Sequence, residues 1–301
     1  MIEIYDFIKG SAVEIPAEPL SLALGNIDGV HLGHRALLDE AVKAASDTGC
    51  AGAVLTFDRN PSGAPALTPT VEKLRLFKKA GLRYAVICPF DGVRHLTAEQ
   101  FVCDILVGRL GTRIAVCGFN HRFGHRGAGE PELLSRLMEA HGGSCRTVAP
   151  VLYGGEPISS SRIRTALAEG NIDDANAMLG RPYSIATEVV HGRALGRKLG
   201  FPTINQRFEA GQALPKRGVY SCRCLDMPAV CNVGVRPTVE DSDEVVCETH
   251  IIGYEGDLYG KKLRVHFLKF LRGEQRFDSL EALSAQLEKD IAVASGRELN
   301  D

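Results

Sequence analysis

His31 and His34 are separated by Leu32 and Gly33 at the end of the glycine-rich stretch Leu24-Gly25-Asn26-Ile27-Asp28-Gly29-Val30-His31-Leu32-Gly33-His34. Small residues let a ligand approach the backbone closely. Two imidazoles beside such a turn can stabilise charge that grows on a nucleotidyl group in transfer. An apolar run over residues 20–24 precedes the stretch and reads as one buried strand, while Leu37, Leu38, Ala41, Val42 and Ala45 follow at helical spacing. The histidines therefore sit where a strand hands over to a helix, whose first N–H groups and positive dipole end suit a phosphate. The bland alternative is that both only fill a loop and a helix start.

Three further stretches carry chemistry. Ser159, Ser160 and Ser161 stand just before a helical run and are natural N-caps. Together with Arg162 they also make a phosphate cradle with a charge-assisted donor. The stretch Gly118-Phe119-Asn120-His121-Arg122-Phe123-Gly124 is glycine-rich and basic, and reads as a turn between strand and helix. In the second half, Gly192, Gly196 and Gly200 recur at every fourth position beside Arg193, Arg197 and Lys198, a pattern suited to backbone N–H groups facing phosphates.

The elements that must position these residues change character along the chain. Residues 20–24, 51–57, 83–88, 112–117 and 144–151 read as strands, alternating with helices over 71–80, 97–110 and 131–141. That alternation predicts a parallel sheet with helices on both faces and ligands beyond the strands' carboxyl ends. A short helix over 172–179 ends at Gly180-Arg181-Pro182, which sets the predicted domain boundary between residues 181 and 182. Beyond it, 183–190, 218–224, 229–235, 245–252 and 263–270 read as successive strands, with one final helix over 279–292. Few helices among many strands suggest an antiparallel barrel or sandwich, and a small barrel with a packed terminal helix is favoured.

Composition excludes several classes. The 301 residues are 45% hydrophobic and 24% charged, as in an ordinary globular protein with room for two cores. A formal net charge of −2 offers no basic field, so nucleic acid is not expected as a main partner. The nine cysteines form no CxxC pair and read as reduced thiols, and no apolar stretch suggests a signal peptide or membrane span. The expectation is a cytoplasmic protein; its oligomeric state stays open.

The His-x-Gly-His stretch resembles the nucleotidyltransferase signature, and the chain as a whole resembles the bacterial bifunctional riboflavin kinase/FAD synthetase family. The resemblance extends through Ile158-Ser159-Ser160-Ser161-Arg162, the run from His191 to Asn205 with its Pro-Thr-x-Asn core, Asn232-Val233-Gly234-Val235-Arg236-Pro237-Thr238, Glu248 and Asp257-Leu258-Tyr259-Gly260. It implies an α/β protein: a Rossmann-like adenylyltransferase domain over 1–181, then an antiparallel β-barrel riboflavin kinase domain over 182–301. It further implies phosphorylation of riboflavin to FMN by ATP, and adenylylation of FMN to FAD by a second ATP, with Mg²⁺ accompanying ATP and flavin as substrate and product.

The roles it implies fall on particular residues. His31, His34, Arg162 and Glu248 would be catalytic. Gly25, Asn26, Asp28, Gly33, Ser159, Ser160, Ser161, Gly192, Gly196, Arg197, Gly200, Thr203 and Asn205 would bind ATP, with Thr203 and Asn205 also holding the metal. Asn60, Asn120, Arg122, Phe123 and Arg236 would contact flavin. The sequence departs from the family at Asn60, where a histidine is usual, at His121, where an aromatic is usual, and in a short loop over 62–70. These departures keep a second reading open, a kinase whose N-terminal domain only binds nucleotide or flavin. His-x-Gly-His alone would also permit transfer to another phosphorylated acceptor.

Overall fold

The structure is a computed structural model that describes residues 3–6, 18–192, 196, 200–236 and 244–296. Arg193, Arg197, Lys198, Pro237 and Thr238, and the side chain of Arg236, lie outside the described residues. The chain divides into two compact units, Met1–Ser160 and Ser161–Asp301.

In the first unit the elements run β1 (Glu3–Asp6), β2 (Leu20–Leu24), α1 (Leu32–Thr48), β3 (Ala51–Phe57), α2 (Thr70–Lys79), β4 (Tyr84–Cys88), α3 (Phe90–Val93) and α4 (Ala98–Gln100). There follow a π-helical segment Phe101–Arg109, β5 (Thr112–Gly118), α5 (Pro131–Ala140), β6 (Ser144–Val148) and a small hairpin of β7 (Leu152–Tyr153) and β8 (Glu156–Pro157). The strands from β1 to β6 form a parallel sheet in the order β1-β4-β3-β2-β5-β6. The chain winds outward from β2 through β3 to β4, then returns to β2's other side at β5. The neighbouring carboxyl ends of β2 and β5 thus form a topological switch point, where open α/β sheets bind ligands.

Alternation along β2 sends Leu22 and Leu24 to one face with Phe101, Leu106, Leu134 and Met138, and Ala23 to the other with Leu38, Ala41, Phe77 and Val116. Both faces are covered, as the continuous apolar runs predict. Helix α1 buries Leu37, Leu38, Ala41, Ala44 and Ala45 and stops at Gly49, whose left-handed backbone (φ 70°) returns its N–H to the Ala45 carbonyl. The helix expected over 97–110 widens into π-turns. Gly108 is suited to that place, since a Cβ there would lie 2.7 Å from the Cys103 carbonyl oxygen. Strand β1 escaped the sequence reading because Glu-Ile-Tyr-Asp offers no apolar run.

The second unit opens with α6 (Ser160–Glu169, its first residue still in the first unit) and α7 (Ile172–Leu179). It continues with β9 (Tyr183–Glu188), β10 (Ile204–Arg207), β11 (Gly218–Cys224), β12 (Met227–Arg236), β13 (Glu244–Ile251), β14 (Lys262–Arg272) and α8 (Leu280–Ala294). The six strands pair antiparallel in the order β10-β13-β12-β11-β14-β9. The ends nearly close on each other: Val190 N–H donates to the Asn205 carbonyl at 2.8 Å, and the Gln206 amide donates to the Thr187 carbonyl at 2.7 Å. The barrel favoured from sequence is what forms; β10, hidden in the glycine-rich run, is the strand that periodicity did not reveal.

Helices α6 and α7, which sequence punctuation put before the boundary, are bound to this barrel. The Asn176 amide donates to the Phe267 carbonyl at 2.9 Å and accepts from Tyr183 N–H at 2.6 Å, and Lys216 N–H donates to the Leu167 carbonyl at 2.8 Å. All nine cysteines are free thiols. Because Leu38 is fully buried between α1 and the sheet, Leu38→Ala is expected to destabilise the first unit by about 2–5 kcal/mol, read as a lowered midpoint in urea denaturation.

Candidate functional sites

In the first unit, His31 caps α1. Its Nδ1 accepts the His34 N–H at 3.2 Å, and the two rings stack with centroids 3.6 Å apart. A neutral imidazole whose Nδ1 accepts carries its proton on Nε2, so Nε2 of His31 is a donor. The first turn of α1 holds no acidic residue, which leaves the positive end of its dipole unopposed. Gly33 permits the stack, since a Cβ there would come within 3.2 Å of the His31 ring. The approach to the helix is strained: Ile27 and Val30 have φ of 50° and 42°.

Three hydrogen-bonded ties hold that approach. Thr56 Oγ1 donates to the Asn26 carbonyl at 2.6 Å, and Ser160 Oγ donates to the Asp28 carbonyl at 2.9 Å. The Asp28 carboxylate accepts the N–H groups of Leu67 and Thr68, at 2.9 and 3.2 Å from Oδ1. The Asp28 carboxylate thereby anchors the segment that leads into α2. His31, His34, Gly25, Asn26, Gly33 and Ser160 are brought together around the loop. Ser159 precedes Ser160 directly, and Ser161 and Arg162 continue the first turn of α6.

A cavity of about 570 Å³ opens beside this loop at the carboxyl ends of the strands. Leu24, Phe57, Phe90, Phe101 and Phe123 give it an apolar wall, and Arg59, Arg94, His95 and Arg126 give it a basic one. Phe57 and Phe90 meet edge to face at 5.2 Å, and Phe123 packs on Phe101 and, parallel, on His121 at 5.8 Å. Gly129 allows this placement of Phe123, whose ring lies 2.6 Å from where a Cβ would be. Asp91 bonds both Arg94 and Arg59, at 3.2 and 2.6 Å, and those two guanidinium groups hold its carboxyl below the usual range.

Of the expected flavin residues, Arg122 and Phe123 line the cavity, with Arg122 also paired to Glu130. Asn60 and Asn120 do not. Asn60 instead shapes the turn after β3, donating to the Ala64 carbonyl at 3.1 Å and accepting from Ser62 N–H at 3.2 Å; Asn120 is exposed. Motif reading missed Phe57, Phe90 and Arg94. They end or closely follow β3 and β4, so the carboxyl-end rule was the signal that would have found them.

In the second unit, a cleft of about 590 Å³ is lined by Gly192, Thr203, Asn205, Asp257 and Tyr259. A second of about 330 Å³ is lined by Gly196, Thr203, Asn232, Glu248, Arg272 and Phe277, with Leu283, Leu287 and Ile291 of α8 as an apolar side. Thr203 borders both. Asn205 pairs with Glu248 across β10 and β13, and Glu248 pairs with Asn232 across β12, so the three side chains form a row on one face.

Asn205 is 5% exposed, and its Oδ1 is buried without a hydrogen-bond partner. Such an oxygen calls for a donor or a cation. Gly192 makes room for it, since a Cβ there would sit 2.4 Å from the Asn205 amide nitrogen. A hard cation fits this donor set. Among the described residues no group of three or more His, Cys, Asp or Glu could hold a metal.

Comparison with known proteins agrees with both geometries. A model of the FAD synthetase family matches residues 14–162, and a riboflavin kinase model matches residues 179–297. The chain is 37% identical over 294 residues to the bifunctional riboflavin kinase/FMN adenylyltransferase of Escherichia coli (strain K12), covering 93% of each chain. It is 31% identical over 284 residues to the enzyme of that name from Bacillus subtilis (strain 168), covering 89% of each. A crystal structure described as a macrolide-efflux protein from Streptococcus pneumoniae superposes with a TM-score of 0.88 at 29% identity, over 99% of this chain and 100% of that one. Among the described residues here, no helix is long and apolar enough to cross a membrane.

Burial pushes the His121 imidazole down from 6.5 to about 4. The unfolded chain then binds more protons than the folded one between those values, so stability falls as pH drops through that window. His121→Phe is expected to flatten the dependence of Tm on pH between about 6.5 and 4, measured by thermal melts. An unchanged slope would mean that another group carries it.

Proposed function

This chain belongs to the bifunctional riboflavin kinase/FMN adenylyltransferase family, and from that premise we infer that it makes FMN from riboflavin and ATP, then FAD from FMN and a second ATP. The observation that carries the kinase assignment is the partnerless Oδ1 of Asn205, whose residue pairs directly with Glu248 across the strands. Thr203 and Asn205 would hold Mg²⁺ with ATP, and Gly192, Gly196, Gly200 and Arg197 would bind the nucleotide's phosphates. Mg²⁺, when bound, supplies neutralisation of phosphate charge. Flavin fits the cleft walled by α8. Glu248 accepts the proton of the ribityl 5′-hydroxyl as that oxygen attacks the γ-phosphorus, and ADP leaves. Placement of the two substrates on either side of Thr203 does most of the work.

In the first unit the phenylalanine-walled cavity suits the isoalloxazine, and its basic side suits a phosphate. FMN's phosphate is already an anion, so its attack on the α-phosphorus needs no base. His31, through Nε2–H, together with His34, Ser159, Ser160, Ser161 and Arg162, stabilises the pentacoordinate phosphorus and the leaving pyrophosphate. We assign residues 14–162 to this activity and residues 179–297 to the kinase, the spans that the two family models match. Free thiols and the lack of a membrane-crossing helix among the described residues support a cytoplasmic setting. The alternative of a binding-only N-terminal domain is not favoured, since relatives named for both activities match across both units.

A crossed experiment tests the division. His34→Ala is expected to slow FAD formation from supplied FMN by about 10²–10³ and to leave riboflavin phosphorylation intact. Glu248→Gln is expected to slow phosphorylation by about 10²–10⁴ and to leave FAD formation from FMN intact. Chromatographic separation of the flavins reads both. Loss of both products in either variant would contradict the division.

A further inference from the structure

A buried ammonium that these reactions do not use stands behind the nucleotide loop. Lys73 lies on the inner face of α2 beside Leu76 and Phe77 and is only 6% exposed. Its Nζ donates to Thr56 Oγ1 at 3.2 Å, and Thr56 Oγ1 donates to the Asn26 carbonyl at 2.6 Å. An ammonium has donors and no acceptor. The Thr56 oxygen must therefore accept from Lys73, and its single proton is directed to Asn26. Burial lowers the basicity of Lys73, and the fields of Asp28 and Asp58 only partly oppose that. Asp28 meanwhile accepts from Leu67 and Thr68, on the segment that leads into α2. One helix is thus tied to the loop twice, through Asp28 and through Lys73.

We propose that Lys73 is a positioning residue for adenylyl transfer: it aims the Thr56 hydroxyl at Asn26 and so holds the Gly25–His31 loop in the geometry that receives ATP. The proposal rests on the assignment of ATP to that loop. The test uses the full chain with Lys73→Met, Lys73→Arg, Thr56→Val and the Lys73→Met/Thr56→Val pair. FAD formation is followed with ATP varied and with FMN varied, and riboflavin phosphorylation is measured in the same preparations.

Lys73→Met is expected to raise KM for ATP in FAD formation about tenfold, as when a buried hydrogen-bonding group loses its partner. KM for FMN and the phosphorylation rate should stay as in the wild type. Lys73→Arg should recover most of the loss, and Thr56→Val should add little on the Lys73→Met background, because both act through one link. An unchanged KM for ATP, equal rises in both KM values, or full additivity of the pair would overturn the proposal. Should Lys73→Met not yield folded protein, Thr56→Val decides alone, and an unaltered KM for ATP there overturns it. A full FAD-forming rate in His34→Ala would overturn the assignment of ATP to the loop, and the proposal with it.

Discussion

Between β2 and α1 the backbone takes a conformation that branched side chains avoid, and most of the first unit's polar interior exists to keep it there. Ile27 and Val30 in the left-handed region cost about 1–3 kcal/mol each. Both side chains are 1% exposed and packed into the core under α1, which partly offsets that cost. The rest is opposed by directional bonds: Thr56 to Asn26, Leu67 and Thr68 to Asp28, Ser160 to the Asp28 carbonyl. The result is a helix N-terminus capped by an imidazole with no acid in its first turn.

The barrel meets a different constraint by a different route. Its strands supply the site through register. Asn205, Glu248 and Asn232 are aligned by ladder pairing, so their spacing is set by the sheet and not by loop strain. Glycine is used here for clearance. Gly192 faces the Asn205 amide, and Gly234 faces Glu274, whose Oε1 lies 2.5 Å from where a Cβ would be. Helix α8 buries little of itself, but Arg272 grips its Asp290 with a bond of 2.8 Å from Nη2, which keeps the helix against the cleft it walls.

Sequence was most readable where chemistry and periodicity coincided. The strand–turn–helix around His31, the alternation of elements before residue 150 and the run of strands after residue 182 all follow from patterns of period 3.6 or 2. The orientation of polar side chains was less readable. Asp28 and Asn60 sit in motif positions, yet each bonds to backbone, Asn60 within its own turn and Asp28 with residues some 40 positions on, and nothing in residue type distinguishes an anchoring carboxylate from a ligand. Lys73 was hidden for a related reason. A lysine within a helix reads as solvated, and only the packing of α2 against the sheet turns it inward. The attachment of α6 and α7 to the barrel was equally invisible, since Gly180 and Pro182 punctuate the chain after those helices while their packing lies elsewhere.

The two sites also differ in where they keep negative charge, and the difference follows from their nucleophiles. A ribityl hydroxyl must lose a proton as it attacks phosphorus, so a carboxylate within reach is useful, and Glu248 stands in the row that borders the metal-suited oxygen of Asn205. An FMN phosphate arrives ionised, and a free carboxylate beside it would repel both it and the triphosphate it attacks. The first unit meets that requirement by how it disposes of its acids. The Asp28 carboxylate accepts the N–H groups of Leu67 and Thr68, Asp58 accepts from the N–H groups of Arg59 and Phe90 at 3.0 Å each, and Asp91 is shared between Arg59 and Arg94. On the proposed assignment, what would face the phosphates is then imidazole, hydroxyl, guanidinium and the open end of α1. On the proposed assignment, charge economy of this kind selects which carboxylates each site can tolerate: the kinase site keeps an acid in its row, and the transferase loop turns its Asp28 to structural use.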